Sequence, residues 1–295
     1  MRGSGLYSLI KKLITIRLIK SGLITEKEFI INKRKILFPD IRKSNCLIQI
    51  ACEGYKSYEY EVVTLIENYP WKISKFVDVG ANCGFFSIIG KLYFPESVEV
   101  VAVEPFFENI EYIKKVKRLN GLGFTLIEKA LDEKASDHAE LYYPVSKERS
   151  TLSLSASLIN SFQKNNKLFK KSIVETTTLP EVAGNSGSSM LIKIDCEGND
   201  LAILNGASSV LERGNIDFII EVLLDNEDRQ EIFNLMRGFG FDAYLMTHAG
   251  FLKQDRPLTI PFPGRRRTMW ANQFFTKRNI EEIREVSLRL YGYWI

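Results

Sequence analysis

Phe76-Val-Asp78-Val-Gly80-Ala-Asn82-Cys-Gly84 is the stretch that decides the fold. Phe76–Gly80 reads as a short buried strand, and Gly84–Tyr93 behind it reads as a helix. The glycines between them allow a sharp turn and a close approach of ligand to backbone. The helix start adds free N–H groups. The spacing is not the dinucleotide fingerprint G-x-G-x-x-G, because the second glycine follows the first by four residues and Asp78 precedes it by two. An acid at that place suits a cationic or hydroxyl-bearing ligand better than a pyrophosphate. A tight turn without a ligand is the plain alternative.

Working outward, strands and helices alternate. Tyr58–Tyr69 reads as a helix that Pro70 ends, and Val98–Glu104 as a second strand followed by helix Phe107–Asn120. Phe124–Ala130 is a third strand, with Leu141-Tyr-Tyr and Ile173–Thr178 strand-like beyond it. Strand Met190–Asp195, helix Leu201–Leu211, strand Ile216–Val222, helix Arg229–Gly238 and strand Phe241–Thr247 follow. A Pro/Arg loop over 250–267, strand Met269–Thr276 and helix Ile280–Leu290 end the chain. Alternation of this kind predicts an α/β fold with a mostly parallel sheet covered on both faces.

The chain has 295 residues, 45% hydrophobic and 26% charged, which excludes a disordered or collagen-like polymer. Cys46, Cys52, Cys83 and Cys196 form no CxxC pair, so a zinc site or disulfide framework is not expected. The net charge of +4 hides an asymmetry. Residues 1–44 hold eleven Lys or Arg and three Asp or Glu, a local +8, which leaves −4 for the rest. Nucleic acid is not an expected partner.

Residues 6–23 read as a basic amphipathic helix with Leu9, Ile10, Leu13, Ile14, Ile16 and Leu18 on its apolar side. Three settings are open to it: packing on its own domain or on a twin subunit in a homo-oligomer, lying on anionic lipid, or a solvated extension. No run reaches the ~18 apolar residues of a membrane span. Lys11, Lys12, Arg17 and Lys20 break any signal-peptide shape. A cytoplasmic protein is expected, with the inner face of the membrane as a peripheral contact. Residues 1–56 are read as a basic N-terminal helical extension and 57–295 as the catalytic domain.

Glu104 ends the second strand, where a carboxylate can accept hydrogen bonds from both hydroxyls of a ribose. An adenine can lie against the backbone near Ala130, at the end of the third strand. A nucleoside cradle of Asp78, Gly80, Asn82, Gly84, Glu104 and Ala130 with no phosphate site points to S-adenosylmethionine. Each acid alone is an ordinary surface group, and only their combination carries this reading.

Leu191-Ile-Lys193-Ile-Asp195-Cys-Glu197-Gly198 stands at another strand end, where open α/β sheets bind ligands. Lys193 and Asp195 share one face of the strand. Methyl transfer to a hydroxyl needs positioning and a general base. Asp195 and Glu197 are the first candidates, Glu221 at the next strand end the third, and His248 a further one. A helix cap at Asp195, or simple pairing with Lys193, is the alternative. These acids can also hold Mg²⁺ or Ca²⁺, but nothing in their spacing requires a metal and none is assigned. Phe85, Phe86, Phe106 and Phe107 flank the cofactor loops, as core packing or as an aromatic wall. Ser150–Ser153 is a polar loop that can close over the site, and Arg265-Arg-Arg267 is a solvated run or an anion site.

Asp78-Val-Gly-Ala-Asn-Cys-Gly84, Glu104-Pro105, Leu191–Gly198 and Leu204-Asn-Gly206-Ala207 together resemble the FkbM-type methyltransferases over about residues 75–225. The resemblance implies a Rossmann-like class I methyltransferase fold with a seven-stranded sheet, its last strand antiparallel. Met269–Thr276 is the candidate for that strand. The resemblance also implies O-methylation of a sugar, glycan or small metabolite. Thr178-Leu179 is followed by Pro180-Glu181, where the family often has an acid directly after the leucine. A nicotinamide-dependent oxidoreductase, and a membrane- or glycan-associated binding subunit without turnover, remain as rival readings.

Overall fold

The computed structural model describes residues 3–144, 156–158, 169–184, 187–222, 227–258 and 272–292, with the side chains of 3–8 left aside. Ser150–Ser153 and Arg265–Arg267 lie outside the described residues.

The N-terminal part holds helix α1 (Gly3–Ser21), the hairpin β1 (Lys27–Ile31) and β2 (Arg34–Phe38), and helix α2 (Asn45–Glu53). The extension expected to be helical therefore also contains an antiparallel hairpin. Nor does it hang free. Ile19, Ile31, Ile36, Phe38, Leu47 and Ile50 are buried in the same apolar cluster as Phe76 and Phe85.

The body follows as α3 (Tyr60–Glu67), β3 (Lys75–Val79), α4 (Phe85–Tyr93), β4 (Glu99–Val103), α5 (Phe107–Asn120) and β5 (Thr125–Ile127). Next come β6 (Ala130–Leu131), β7 (Ser136–Pro144), β8 (Phe169–Thr177), α6 (Leu179–Ala183) and β9 (Met190–Ile194). After these come α7 (Asp200–Asn205), α8 (Ser208–Leu211), β10 (Ile216–Glu221), α9 (Arg229–Gly238) and β11 (Asp242–Thr247). The last elements are β12 (Gly250–Gln254), β13 (Asn272–Thr276) and α10 (Ile280–Tyr291).

The main sheet has eight strands in the order β12-β11-β13-β10-β9-β3-β4-β5. The expected seven are present, and β12 adds an eighth as the antiparallel partner of β11. It occupies part of the stretch read as a loop. β13 runs antiparallel between β10 and β11, as expected of the final strand. This order, with one antiparallel strand inserted beside a parallel core, is the class I methyltransferase sheet.

Strand alternation divides the core into two layers. Val77, Val79, Ile192, Ile194, Phe218 and Ile220 face one side, against α6 to α9. Phe76, Leu191, Ile219 and Phe274 face the other, against α2 to α5 and α10. Asp78, Lys193 and Glu221 belong by the same alternation to the second side. The register places Asp78 beside Lys193 and Lys193 beside Ile219.

Two local readings are corrected by packing. The third strand breaks after Ile127, and Ala130–Leu131 joins β7 and β8 in a separate three-stranded sheet. The helix expected over 201–211 splits at Gly206 and Ala207, where the chain runs against the backbone of Glu133. The Pro180-Glu181 departure has a structural use. Glu181 closes a capping box with Thr178, and Pro180 sits in the first turn of α6, where its missing N–H costs nothing.

A Cβ at Gly206 would stand 2.4 Å from the Glu133 carbonyl oxygen, an obstacle made of backbone. Overpacking of this kind costs about 1–3 kcal/mol. Gly206→Ala is expected to lower the thermal unfolding midpoint by several degrees. An unchanged midpoint in calorimetry would contradict the close approach.

Candidate active site

A cavity of about 400 Å³ opens at the carboxyl ends of β3, β4, β9 and β10. The turn after β3 shapes one wall. Gly80 has φ 76°, and a Cβ there would stand 2.0 Å from the carbonyl oxygen of Asp195. Only glycine lets the β3 and β9 loops meet so closely. Asn82 follows in the left-handed region at φ 53°, a conformation asparagine tolerates. Its backbone N–H donates to Glu104 Oε2 at 2.7 Å, and Phe106 N–H donates to Oε1 at 2.9 Å. The two amides fix the carboxylate plane, and a hydrogen bond from the Asn109 side chain adds to them. Burial pushes the Glu104 carboxyl up to about 7, against the lowering effect of those N–H donors.

Gly80, Asn82, Glu104 and Ala130 line the cavity. Asp78 and Gly84 stand behind its wall. Asp78 is 1% exposed and accepts a hydrogen bond from Ser87 Oγ at 2.6 Å. It points under the sheet surface toward Lys193, so it supports the floor. Gly84 packs against Ile113 as the residue before α4. Phe85 and Phe86 line the cavity and Phe106 is buried beside it, whereas Phe107 is exposed.

The other wall is built of acids around one cation. Lys193 Nζ lies 2.9 Å from Asp195 Oδ2 and 4.6 Å above the Phe86 ring. Burial alone would lower the Lys193 pKa, but Asp195, Glu59 and Asp78 together raise it above its ordinary value. Burial likewise disfavours the Asp195 anion. The Lys193 charge and hydrogen bonds from Glu221 and Lys193 overcome this and hold Asp195 below the usual carboxylate range. Glu221 is pushed the other way, first by burial and then by the charge of Asp195. The two acids are thus driven apart, Asp195 down and Glu221 up, with a hydrogen bond between them.

Glu197 lines the same cavity at φ 51°, a strained value for glutamate, and its carbonyl accepts from Ser157 Oγ at 3.0 Å. His248 is not brought to the cavity. Its side chain is 53% exposed, with Nε2 3.3 Å from Glu61 Oε2. A row of polar side chains leads from it toward the site, since Asn272 Nδ2 reaches Glu61 Oε1 at 3.3 Å and Glu59 Oε2 at 3.1 Å. Among the described residues no group of three His, Cys, Asp or Glu has metal-holding geometry.

Several wall residues carry no local signal in the sequence. Cys46 comes from α2, Tyr58 precedes α3, and Leu141 and Ser157 come from the segment around β7. Glu59, at φ 42°, is raised to about 7 by burial. Only the Lys193-Ile-Asp195 alternation announced the ion pair.

The raised acids fix how stability responds to pH. Glu59 and Glu104 titrate at about 7 in the folded chain against 4.5 unfolded, so the folded state binds protons that the unfolded state has lost. Their stability contribution is full below about pH 4.5 and is lost as pH rises through about 7. For Glu104 the shift is worth on the order of 3 kcal/mol. The unfolding midpoint is expected to fall between pH 5 and pH 8, and Glu104→Gln to flatten that slope in calorimetry. Asp195, shifted down, acts only in stronger acid.

Known proteins share this architecture at low identity. The FkbM methyltransferase of Methylobacillus flagellatus KT is 12% identical, with 90% of this chain and 59% of that chain covered and a TM-score of 0.44. A SAM-dependent methyltransferase of Agrobacterium tumefaciens is 10% identical over 86% of this chain and 71% of its own, with a TM-score of 0.43. A ribosomal protein L11 methylase of Lactobacillus delbrueckii subsp. bulgaricus is 13% identical over 76% and 80%, with a TM-score of 0.40. No curated protein matches by sequence. The family model of the methyltransferase FkbM domain matches residues 78–243, more than half of the 295 residues, and the chain belongs to that methyltransferase family.

Proposed function

We propose that the chain transfers a methyl group from S-adenosylmethionine to a hydroxyl of a sugar, glycan or small metabolite. One observation carries the reading: a hydroxyl-accepting cradle at Glu104 and an ionised Asp195 line one cavity. Bound there, the cofactor supplies an electrophilic methyl carbon on a sulfonium. The donor set fits it. Glu104 can accept two vicinal hydroxyls, Ala130 and Leu131 offer an apolar wall, and the close turn at Gly80 leaves the backbone open.

Asp195 accepts the proton of the acceptor hydroxyl. Lys193 keeps Asp195 ionised until then, and Glu221 fixes its orientation by a hydrogen bond. Glu197 and Ser157 border the same space and are assigned to the acceptor. A general base within hydrogen-bond reach contributes about 10²–10⁴-fold.

Isothermal titration of the full chain with S-adenosylmethionine is expected to show one site, weakened at least tenfold by Glu104→Ala, which removes two charge-assisted contacts. No heat from a folded sample, or heat with NAD instead, would sink the reading. Asp195→Asn keeps the shape of the site, so it should bind cofactor as before. Release of S-adenosylhomocysteine with sugar acceptors should then drop by about 10²-fold or more. Unchanged turnover would remove Asp195 as the base.

A further inference from the structure

Helix α1 is used neither by the cavity nor by its supporting acids. It carries Lys11, Lys12, Arg17 and Lys20 and no acid. One side holds it to the body: Ile19 is fully buried, and Lys12 pairs with Glu53 of α2. The turn at Gly22 closes it, with the Leu23 and Ile24 N–H groups donating to the Leu18 carbonyl.

The other side has no cover. Leu9, Ile10, Leu13 and Ile14 are 53%, 46%, 53% and 52% exposed. At 3.6 residues per turn, Leu9 and Leu13 form one row and Ile10 and Ile14 the next, turned away from Ile19. Arg17 continues the first row by one turn, with Lys20 beside it and Lys11 at the flank, all exposed. An apolar strip edged by cations is the pattern of a helix that lies in a lipid interface.

We infer that this face of α1 seats on an anionic lipid surface, with the helix in the plane of the interface. Charge selects this occupant. A second copy seated by two-fold symmetry would bring a second set of the same cations to the seam, with no acid on the helix to offset them. Anionic headgroups complement these cations, and acyl chains cover the four apolar side chains. The local +8 of residues 1–44 adds attraction, while the −4 of the remaining chain turns the body away from the surface. Among the described residues no helix is long and apolar enough to cross a membrane, so the contact is peripheral.

Co-sedimentation of the full chain with vesicles tests this. Binding is expected to vesicles of phosphatidylcholine mixed with phosphatidylglycerol, not to phosphatidylcholine alone, and to weaken in high salt. Joint replacement Leu9→Ser, Ile10→Ser, Leu13→Ser and Ile14→Ser should lower the partition about tenfold or more. Arg17→Gln with Lys20→Gln should do the same. The side chains are exposed, so the unfolding midpoint should stay put in both variants. Binding indifferent to lipid charge, or variants that bind like the parent, would overturn the inference. So would a dimer in sedimentation velocity that the serine variant disperses, because the occupant would then be a second copy.

Discussion

The buried ammonium of Lys193 is the constraint on which the rest of the site depends. At 1% exposure it survives only because carboxylates surround it. Each partner comes from a different element: Asp195 from the end of β9, Asp78 from β3, and Glu59 from just before α3. One charge therefore ties the parallel core of the sheet to the helix layer above it. The same charge separates the acids. It holds Asp195 down while burial and repulsion drive Glu221 up. Two carboxyl groups with opposed shifts are what proton transfer at neutral pH requires.

Sheet geometry delivers these groups to one place. β3, β9 and β10 run parallel and in register, so alternation sends Asp78, Lys193 and Glu221 to the same face. The loops beyond β3 and β9 then converge, because Gly80 offers no side chain to keep the Asp195 carbonyl away. Glu104 arrives from the neighbouring β4 and is aligned by the Asn82 and Phe106 amides. Glu104 and Asp195 thus line one cavity.

Reading by pattern succeeded where the cause is local. The strand-turn-helix at 76–93, helix 229–238 and the last strand follow from apolar periodicity and turn residues, while the antiparallel direction of that strand came from the family resemblance. It failed where distant chain decides. Helix 201–211 breaks because Gly206 meets the Glu133 backbone. Asp78 reads as a ligand contact but is turned into the floor by Ser87 and Lys193. His248 reads as a strand-end base, yet it pairs with Glu61 outside the cavity. The N-terminal part reads as an appendage, yet Ile31, Phe38 and Leu47 enter the core and Cys46 reaches the cavity wall.

By itself the sequence determined the layered α/β sheet, the glycine turn after Asp78, the strand-end acid Glu104 and the Lys193–Asp195 pair. These depend on neighbours within a few residues, and periods of 2 and 3.6 record them directly. Only the tertiary structure decided which carboxyl is held down, which is driven up and which merely supports the floor. Those states are set by burial and by charges from elements up to 162 residues apart, as between Glu59 and Glu221. No spacing along the chain encodes that distance.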